Sequence, residues 1–220
     1  MIRVVEAPEP PDFDATVRQR GVLAIKRLLG QPVRAPGRRP KTTYERCEDI
    51  PPRRFPALWS EPRKRDGNST LDDMMDAYGQ RCAYLAMHIE RATGSPTVDH
   101  FIPKSRAWQL VYEWSNYRLS ASCVNGAKGE MTVIDPFRVE PGWFVLDLDT
   151  FLVRRGDAPI EEHATIDATL TILNLRQCIA QRREYIDLFH RGEIDLALVA
   201  RYAPFIAFEL RRQGVDARQN

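Results

Sequence analysis

The stretch from Thr97 to Gly129 constrains the chain most, because polar residues stand at the ends of its strand-like and helix-like segments. A β-branched run ends in Asp99 and His100, and Asn116 opens a second strand-like run. Asn125 follows after eight intervening residues and precedes a Lys-Gly pair. The order of strand, loop, strand and helix start, with polar residues at the corners, is typical of an active site rather than of a core.

The residue types suit hydrolysis of a phosphodiester by a bound metal, which needs hard oxygen ligands and open positions. Asp99 offers a carboxylate oxygen and Asn125 an amide oxygen. His100 faces the opposite side of its strand and is available as a general base, because an ordinary histidine pKa of ~6.5 suits neutral pH. Asn116 is placed to hold the loop that carries His100, and Lys128 to contact a phosphate.

This stretch resembles the HNH, or ββα-metal, family of nucleases. The resemblance assigns the metal-binding acid to Asp99, the general base to His100, the middle catalytic asparagine to Asn116 and the last metal ligand to Asn125. It implies a divalent cofactor, Mg²⁺ or Mn²⁺, and nucleic acid, DNA in the first instance, as the substrate. The alternative interpretation is a structural histidine that caps a hairpin between two turn asparagines.

Many HNH proteins brace this fold with a zinc ion held by two C-x-x-C pairs. The corresponding positions here are Cys82, Leu85, Ala121 and Val124, and Cys123 is displaced by one residue. Four thiolates cannot be assembled at the usual spacing. We therefore expect no structural zinc, with apolar packing of Leu85 and Val124 in its place.

Positive charge is concentrated near the N-terminus. Residues 1–66 hold 15 of the 32 lysine and arginine residues, 9 of the 30 acidic residues and ten of the sixteen prolines. A basic, proline-rich arm with interspersed aromatic residues is a candidate to track a phosphate backbone. The alternative is a solvated loop that wraps the domain, with those aromatic residues packed onto it. Across the chain, the candidate contacts to nucleic acid are Arg38, Arg39, Lys41, Lys104, Arg118 and Lys128.

The composition is that of a globular protein outside the membrane. The hydrophobic fraction is 43% and the charged fraction 28%, and no run approaches the length of a membrane span. The first residues do not form a signal peptide. Four widely spaced cysteines give no disulfide framework, so a cytoplasmic location is expected.

We predict an α+β fold in which a ββα-metal (HNH) finger is embedded in a mostly helical single domain with a Pro/Arg-rich N-terminal extension. The expected divisions are an extension over 1–68, a nuclease core over 69–137 and a hairpin with a helical scaffold over 138–220. The expected helices run over Phe13–Leu29, from a cap at Ser69-Thr70, after His163, over Ile194–Tyr202 and from Pro204. The expected strands run over Cys82–Ile89 and up to His100, with a strand end near Val133 and a hairpin over Gly142–Val153. Between the strands, a helical face is expected at Ala107, Leu110, Val111 and Trp114.

Four short phrases narrow the resemblance: CAYL, VDHFIPKS, YEWSNYRL and VIDPF. They are similar to HNH proteins of the Septu type (PtuB-like) and of retron-associated systems. That likeness implies the nuclease subunit of an anti-phage defence system that works beside an AAA/ABC-type ATPase. An alternative hypothesis, from a different functional class, stays open: a nucleic-acid-binding or regulatory subunit that keeps an HNH shell without cutting.

Overall fold

Residues 1–34, 40–63 and 66–215 are described by a computed structural model of the chain. In these ranges helices alternate with two small two-stranded sheets, which confirms the expected α+β class. None of the described helices has the length and apolar character needed to cross a membrane.

The chain forms two compact units, each assembled from segments that are distant in sequence. The first comprises Met1–Glu6, Tyr78–Thr97 and the chain from Leu119 onward, and the second comprises Ala7–Ala77 and Val98–Arg118. The expected divisions near residues 68 and 137 follow composition and motifs, whereas these units follow contacts, so the divisions stay a prediction.

In the second unit, a π-helical turn over Asp14–Arg18 leads into helix α1, Gln19–Leu28, as the periodicity predicted. Helix α2, Thr70–Ala77, follows the predicted cap at Ser69. The Ser69 hydroxyl donates to Asp72 Oδ2 at 2.7 Å and accepts from the Asp72 amide at 3.3 Å. This reciprocal pairing satisfies amide donors that the first helical turn leaves without partners.

The core of the second unit is aromatic. Phe13 packs edge-on against both Trp114 and Tyr117, at 5.7 Å between ring centroids in each pair. Gly21 lies against Tyr112 so closely that a Cβ atom would come within 2.2 Å of the ring. A side chain at position 21 would therefore displace Tyr112, which explains a glycine in the middle of α1 despite its low helix propensity.

Several cations of the basic N-terminal region pair with acids of the same unit. Arg63 is hydrogen-bonded or ion-paired to three carboxylates, those of Asp73, Asp12 and Asp66. The hydrogen bonds that Arg63 donates to Asp73 are the main reason that the pKa of Arg63 is raised. Arg18 likewise binds Glu9, Asp14 and Glu113. These two cations are thus engaged with acids of their own unit.

Strand β1, Pro96–His100, and strand β2, Tyr117–Ala121, form the first sheet, and helix α3, Ser122–Lys128, follows directly. The segment between the strands contains two 3₁₀ turns, Trp108–Leu110 and Trp114–Asn116, rather than the helical face predicted there. Val111 and Trp114 are nonetheless buried as expected, because the turns point both inward.

The prediction of a strand over Cys82–Ile89 was wrong. Residues 82–87 form a tight turn in which the Cys82 amide donates to Met87 O and the Ala86 amide donates to Cys82 O. A single bridge between Arg81 and His88 is the strand-like pairing found there. Ala86 adopts φ +50°, a left-handed conformation. Glycine usually marks such a position in a sequence, and here the residue is alanine.

The rest of the first unit is a hairpin and four helices. The hairpin prediction is confirmed by β3, Phe144–Leu146, and β4, Val153–Arg155, which pair antiparallel. The predicted strand end near Val133 is absent from the described chain, where 131–135 has no regular structure. The helices are α4, His163–Leu173; α5, Arg176–His190; α6, Leu196–Tyr202; and α7, Pro204–Arg212.

A buried arginine ties the hairpin connection to these helices. Arg182 donates to the carbonyls of Phe151 and Leu173 and to Asn174 Oδ1, at 2.8–3.0 Å. Burial lowers the pKa of Arg182 to about 10. Three polar acceptors compensate for the cost of placing the cation in the core.

Candidate active site

Asn116 clamps the loop that follows His100. Its Oδ1 accepts from the Ile102 amide at 2.8 Å, and its Nδ2 donates to Ile102 O at 3.0 Å and to Leu110 O at 3.2 Å. The side chain therefore binds both ends of the segment between positions 102 and 110. Asn116 holds this loop, as its position in the sequence predicts, through these three hydrogen bonds.

The ring of His100 is fixed on several sides. Its Nε2 lies 2.9 Å from Val111 O, and its ring packs edge-on against Trp59 at 4.5 Å and Tyr117 at 5.1 Å. A carbonyl oxygen only accepts, so the neutral ring carries its proton on Nε2 and its lone pair on Nδ1. The side chain is 7% exposed.

The Val111 carbonyl accepts a second hydrogen bond, from the Tyr117 hydroxyl at 2.9 Å. Burial raises the pKa of Tyr117, which keeps its hydroxyl protonated and able to donate. Two donors on one carbonyl hold the His100 ring and the Tyr117 ring in a fixed relation.

Asp99 precedes His100 on β1 and is 2% exposed, so this carboxylate lies in a protected environment. Arg118, expected to contact nucleic acid, is also buried at 3% exposure. Its Nη1 donates to Ser115 O at 2.7 Å and to Tyr117 O at 2.9 Å, and its guanidinium lies over the Phe101 ring. These contacts give Arg118 a bracing position in this conformation, which does not fit the expected contact to nucleic acid.

Lys104 is half-buried in the loop clamped by Asn116. Its ammonium lies 5.0 Å from the centroid of the Trp59 ring, the same ring that contacts His100. Burial lowers the pKa of Lys104. Trp59 thus touches both the candidate base and a candidate phosphate ligand.

The other two expected residues belong to the first unit, on helix α3. Asn125 is half-buried, and its Nδ2 donates to Thr97 Oγ1 at 3.1 Å, which orients the amide. Lys128 is 0% exposed, which does not fit the expected phosphate contact. The reason is helical periodicity, since position 128 shares a face with the fully buried Val124, four residues earlier.

Lys41, from the basic arm, is exposed, whereas Arg38 and Arg39 lie outside the described residues. A contact from Lys41 to nucleic acid is sterically open, and the same expectation for Arg38 and Arg39 stays a prediction.

The donors that the resemblance assigns to a metal are side-chain oxygen atoms, which are hard ligands. No group of three or more His, Cys, Asp or Glu side chains suited to a metal occurs within 1–34, 40–63 and 66–215. Mg²⁺ usually takes one or two carboxylates and completes its shell with water and substrate phosphates. The Asp99 carboxylate is a hard oxygen ligand of this kind.

Two features of this site had no usable signal in the sequence. Val111 contributes a backbone atom, so its residue type says nothing about the role. Trp59 lies about forty positions before His100 in a proline-rich stretch, where it looked like one aromatic residue among basic ones. Only the fold brings the indole onto the imidazole.

Comparisons with protein-family models, with curated proteins and with solved structures found no match to this chain.

Proposed function

We propose that this protein is a metal-dependent endonuclease of the HNH type that hydrolyses phosphodiester bonds in nucleic acid, with DNA as the first substrate to assay. The observation that carries the proposal is the hydrogen bond from His100 Nε2 to Val111 O. It leaves the lone pair of the neutral imidazole on Nδ1, the state that a general base requires.

In this proposal His100 Nδ1 takes a proton from the attacking water. The resulting imidazolium keeps its Nε2–H on the Val111 carbonyl, whose dipole stabilises the positive charge. Trp59 and Tyr117 restrict the ring on its sides, so little reorientation is needed during proton transfer. Asn116 acts as a positioning residue, because it holds the loop and not the reacting atoms.

Asp99 would hold the divalent ion, and the resemblance adds the amide oxygen of Asn125 as a ligand. When bound, Mg²⁺ or Mn²⁺ supplies Lewis-acid stabilisation of charge that develops on the phosphate oxygens.

A plasmid-nicking assay with Mg²⁺ or Mn²⁺ tests the proposal. His100→Ala is expected to lose about 10²–10⁴-fold in cleavage rate, the usual contribution of a positioned base. His190→Ala is the matched control, because that histidine is exposed at the end of α5 and should leave the rate unchanged. Asn125→Ala is expected to need more metal for the same rate.

The His100 variant must be compared as a folded protein, since it loses ring contacts and a buried hydrogen bond. Circular dichroism and a melting curve establish that it is folded at the assay temperature. Wild-type cleavage rates in a folded His100→Ala variant at saturating substrate would refute the assigned mechanism.

A second candidate is a nucleic-acid-binding or regulatory subunit that keeps this shell without cutting. The burial of Asp99 and His100 favours it, because a catalytic pair must be reached by substrate and water. Wild-type protein that binds labelled DNA but leaves plasmid intact with both metals would support this candidate. The resemblance to Septu-type proteins extends either candidate to phage defence beside an AAA/ABC-type ATPase, which rests on the sequence phrases alone.

A further inference from the structure

A small cavity opens beside the loop that Asn116 clamps. Its volume is about 220 Å³, and it lies within the second unit between residues 47–52 and residues 104–109. The second of these walls starts four residues after His100. A ligand in this cavity would therefore bind to the same loop that positions the candidate base.

Trp108 gives the cavity a fixed aromatic wall. Its indole Nε1 donates to Glu48 Oε1 at 3.0 Å, and its ring is half exposed. The indole is thus held at its polar edge while part of its surface stays accessible. A half-exposed, oriented indole is a platform on which a flat ring can stack.

The acids on the rim are already engaged. Glu48 accepts from Trp108, and Asp49 accepts two hydrogen bonds from Arg46, at 3.0 Å and 3.1 Å. Hydrogen bonds to its own backbone and to Trp108 hold the pKa of Glu48 below its usual value. Arg46 therefore offsets the charge of Asp49, whereas Trp108 is a neutral donor and leaves Glu48 charged.

The remaining polar groups suit a nucleotide. Lys104 and Arg106 supply positive charge, and Gln109 supplies an exposed amide with both donors and an acceptor. A stacking surface, cations and an amide together match a nucleobase joined to a phosphate. The volume is below the roughly 300 Å³ of the smallest common ligand pockets, so it suits one base rather than a larger cofactor.

We propose that this cavity binds one unstacked nucleobase of the nucleic acid substrate, with the base on Trp108 and an adjoining phosphate near Lys104. The inference rests on the proposed function and narrows its substrate. A base inside a duplex must leave its stack to enter such a cavity, at a cost of about a few kcal/mol. The site therefore favours single-stranded or locally melted nucleic acid.

Binding of a short fluorescein-labelled single-stranded DNA, measured by anisotropy in EDTA, tests the proposal without cleavage. Trp108→Ala is expected to raise the Kd about 5- to 150-fold, the range for loss of one stacked base. Trp108→Phe keeps a stacking ring but loses the indole N–H, and should retain most of the affinity. Trp143→Ala, a half-exposed tryptophan of the first unit, is the matched control and should bind as wild type.

A second probe separates the base from the backbone. An oligonucleotide of the same length that carries abasic sugars throughout has the same phosphates but no bases. Trp108→Ala should leave its affinity unchanged, whereas Lys104→Gln should weaken binding of both probes to a similar degree. Melting curves of the variants establish that each is folded.

The outcomes distinguish this inference from the function on which it rests. A wild-type protein that binds single-stranded DNA as tightly as its Trp108→Ala variant overturns the base site and leaves the nuclease proposal standing. An equal loss of affinity for the abasic probe also overturns it, because the effect would not require a base. A wild-type protein that neither binds nor cuts nucleic acid overturns both.

Discussion

Asn116 has a counterpart in the other unit that makes the same kind of clamp. Asn174 Oδ1 accepts from the Val153 amide at 2.9 Å, and its Nδ2 donates to Val153 O at 2.8 Å. Both asparagines pair with the N–H and C=O of one residue in a distant segment. The two differ in what they hold, since Asn116 holds the loop after His100 and Asn174 holds strand β4.

This parallel gives a matched pair of variants. Asn116→Ala should lower the free energy of unfolding by about 1–3 kcal/mol, because buried backbone groups lose partners. It should also lower the cleavage rate, because the loop after His100 is no longer held. Asn174→Ala should cost at least as much stability in urea titrations, since Arg182 also binds Asn174, yet leave cleavage unchanged.

Equal losses of cleavage in the two variants would show that the effect of Asn116 is one of general stability. Retained cleavage in a folded Asn116→Ala protein would remove the positioning role.

Single residues were predictable from sequence where chemistry and chain position acted together. The loop-holding geometry of Asn116 was anticipated because an asparagine at a strand start can reach the preceding loop. The burial of Lys128 was missed, although the expected packing of Val124 places position 128, four residues later, on the same inward face. Val111 was beyond reach, since its contribution is a carbonyl that every residue type shares.

Among the elements, the turn before β1 shows how local backbone geometry sets the start of a strand. Ser95 adopts φ +47°, and its carbonyl accepts from the amide of Ser122, the first residue of α3. At the preceding position, a Cβ on Gly94 would lie 2.5 Å from the Glu90 amide nitrogen. The turn thus needs a left-handed residue at 95 and no side chain at 94.

The two positions predict opposite effects. Ser95→Gly should raise the free energy of unfolding by about 0.5–1 kcal/mol, because glycine adopts a positive φ without steric cost and the exposed Ser95 side chain loses little packing. Gly94→Ala should lower it, because the new methyl group meets backbone. Urea midpoints at constant m-value measure both changes, and a fall on Ser95→Gly would contradict this account of the turn.

Element prediction succeeded where periodicity was long and failed where it was short. The helix at 14–28 and the helices from His163 onward carry several apolar positions at helical spacing, so their existence was clear. The segment Cys82–Ile89 is a short apolar run that fits a strand or a buried turn equally well. Its left-handed Ala86 decided the outcome, and alanine gives no signal for that conformation.

At the scale of the whole molecule, the basic residues near the N-terminus include both paired and exposed side chains. Arg18 and Arg63 are bound to carboxylates, whereas Lys41 is exposed. Composition alone could not tell the paired basic residues from the exposed ones. The acids that pair with Arg63 lie both before and after it in sequence, so only the fold identifies them. Pairing reduces the number of cations in this region that are open to a phosphate.

The basic arm of the sequence predicts a measurable salt dependence. Changing Arg38, Arg39 and Lys41 to Gln should reduce the slope of log Kd against log salt by up to about 0.7 per lost contact on single-stranded DNA. The affinity should fall similarly for all sequences. The control changes Arg176 and Arg183 on α5, and Arg191 directly after it, to Gln, which removes the same charge from the first unit.

An unchanged slope in the first triple variant, or the same change in both, would return the basic arm to a solvated loop. Titrations at several salt concentrations with the non-cleaving conditions of EDTA give the two slopes directly.

The acceptor for His100 is a main-chain atom, so no amino-acid substitution at Val111 removes it. A mutation can move this acceptor only by changing the length or the path of the segment from Phe101 to Ser115. Substitutions that fit the buried site of the Val111 side chain leave the carbonyl in place, whereas one inserted or deleted residue in that segment moves it. The tautomer of the candidate base is therefore sensitive to insertions and deletions in this segment and much less sensitive to substitutions at position 111.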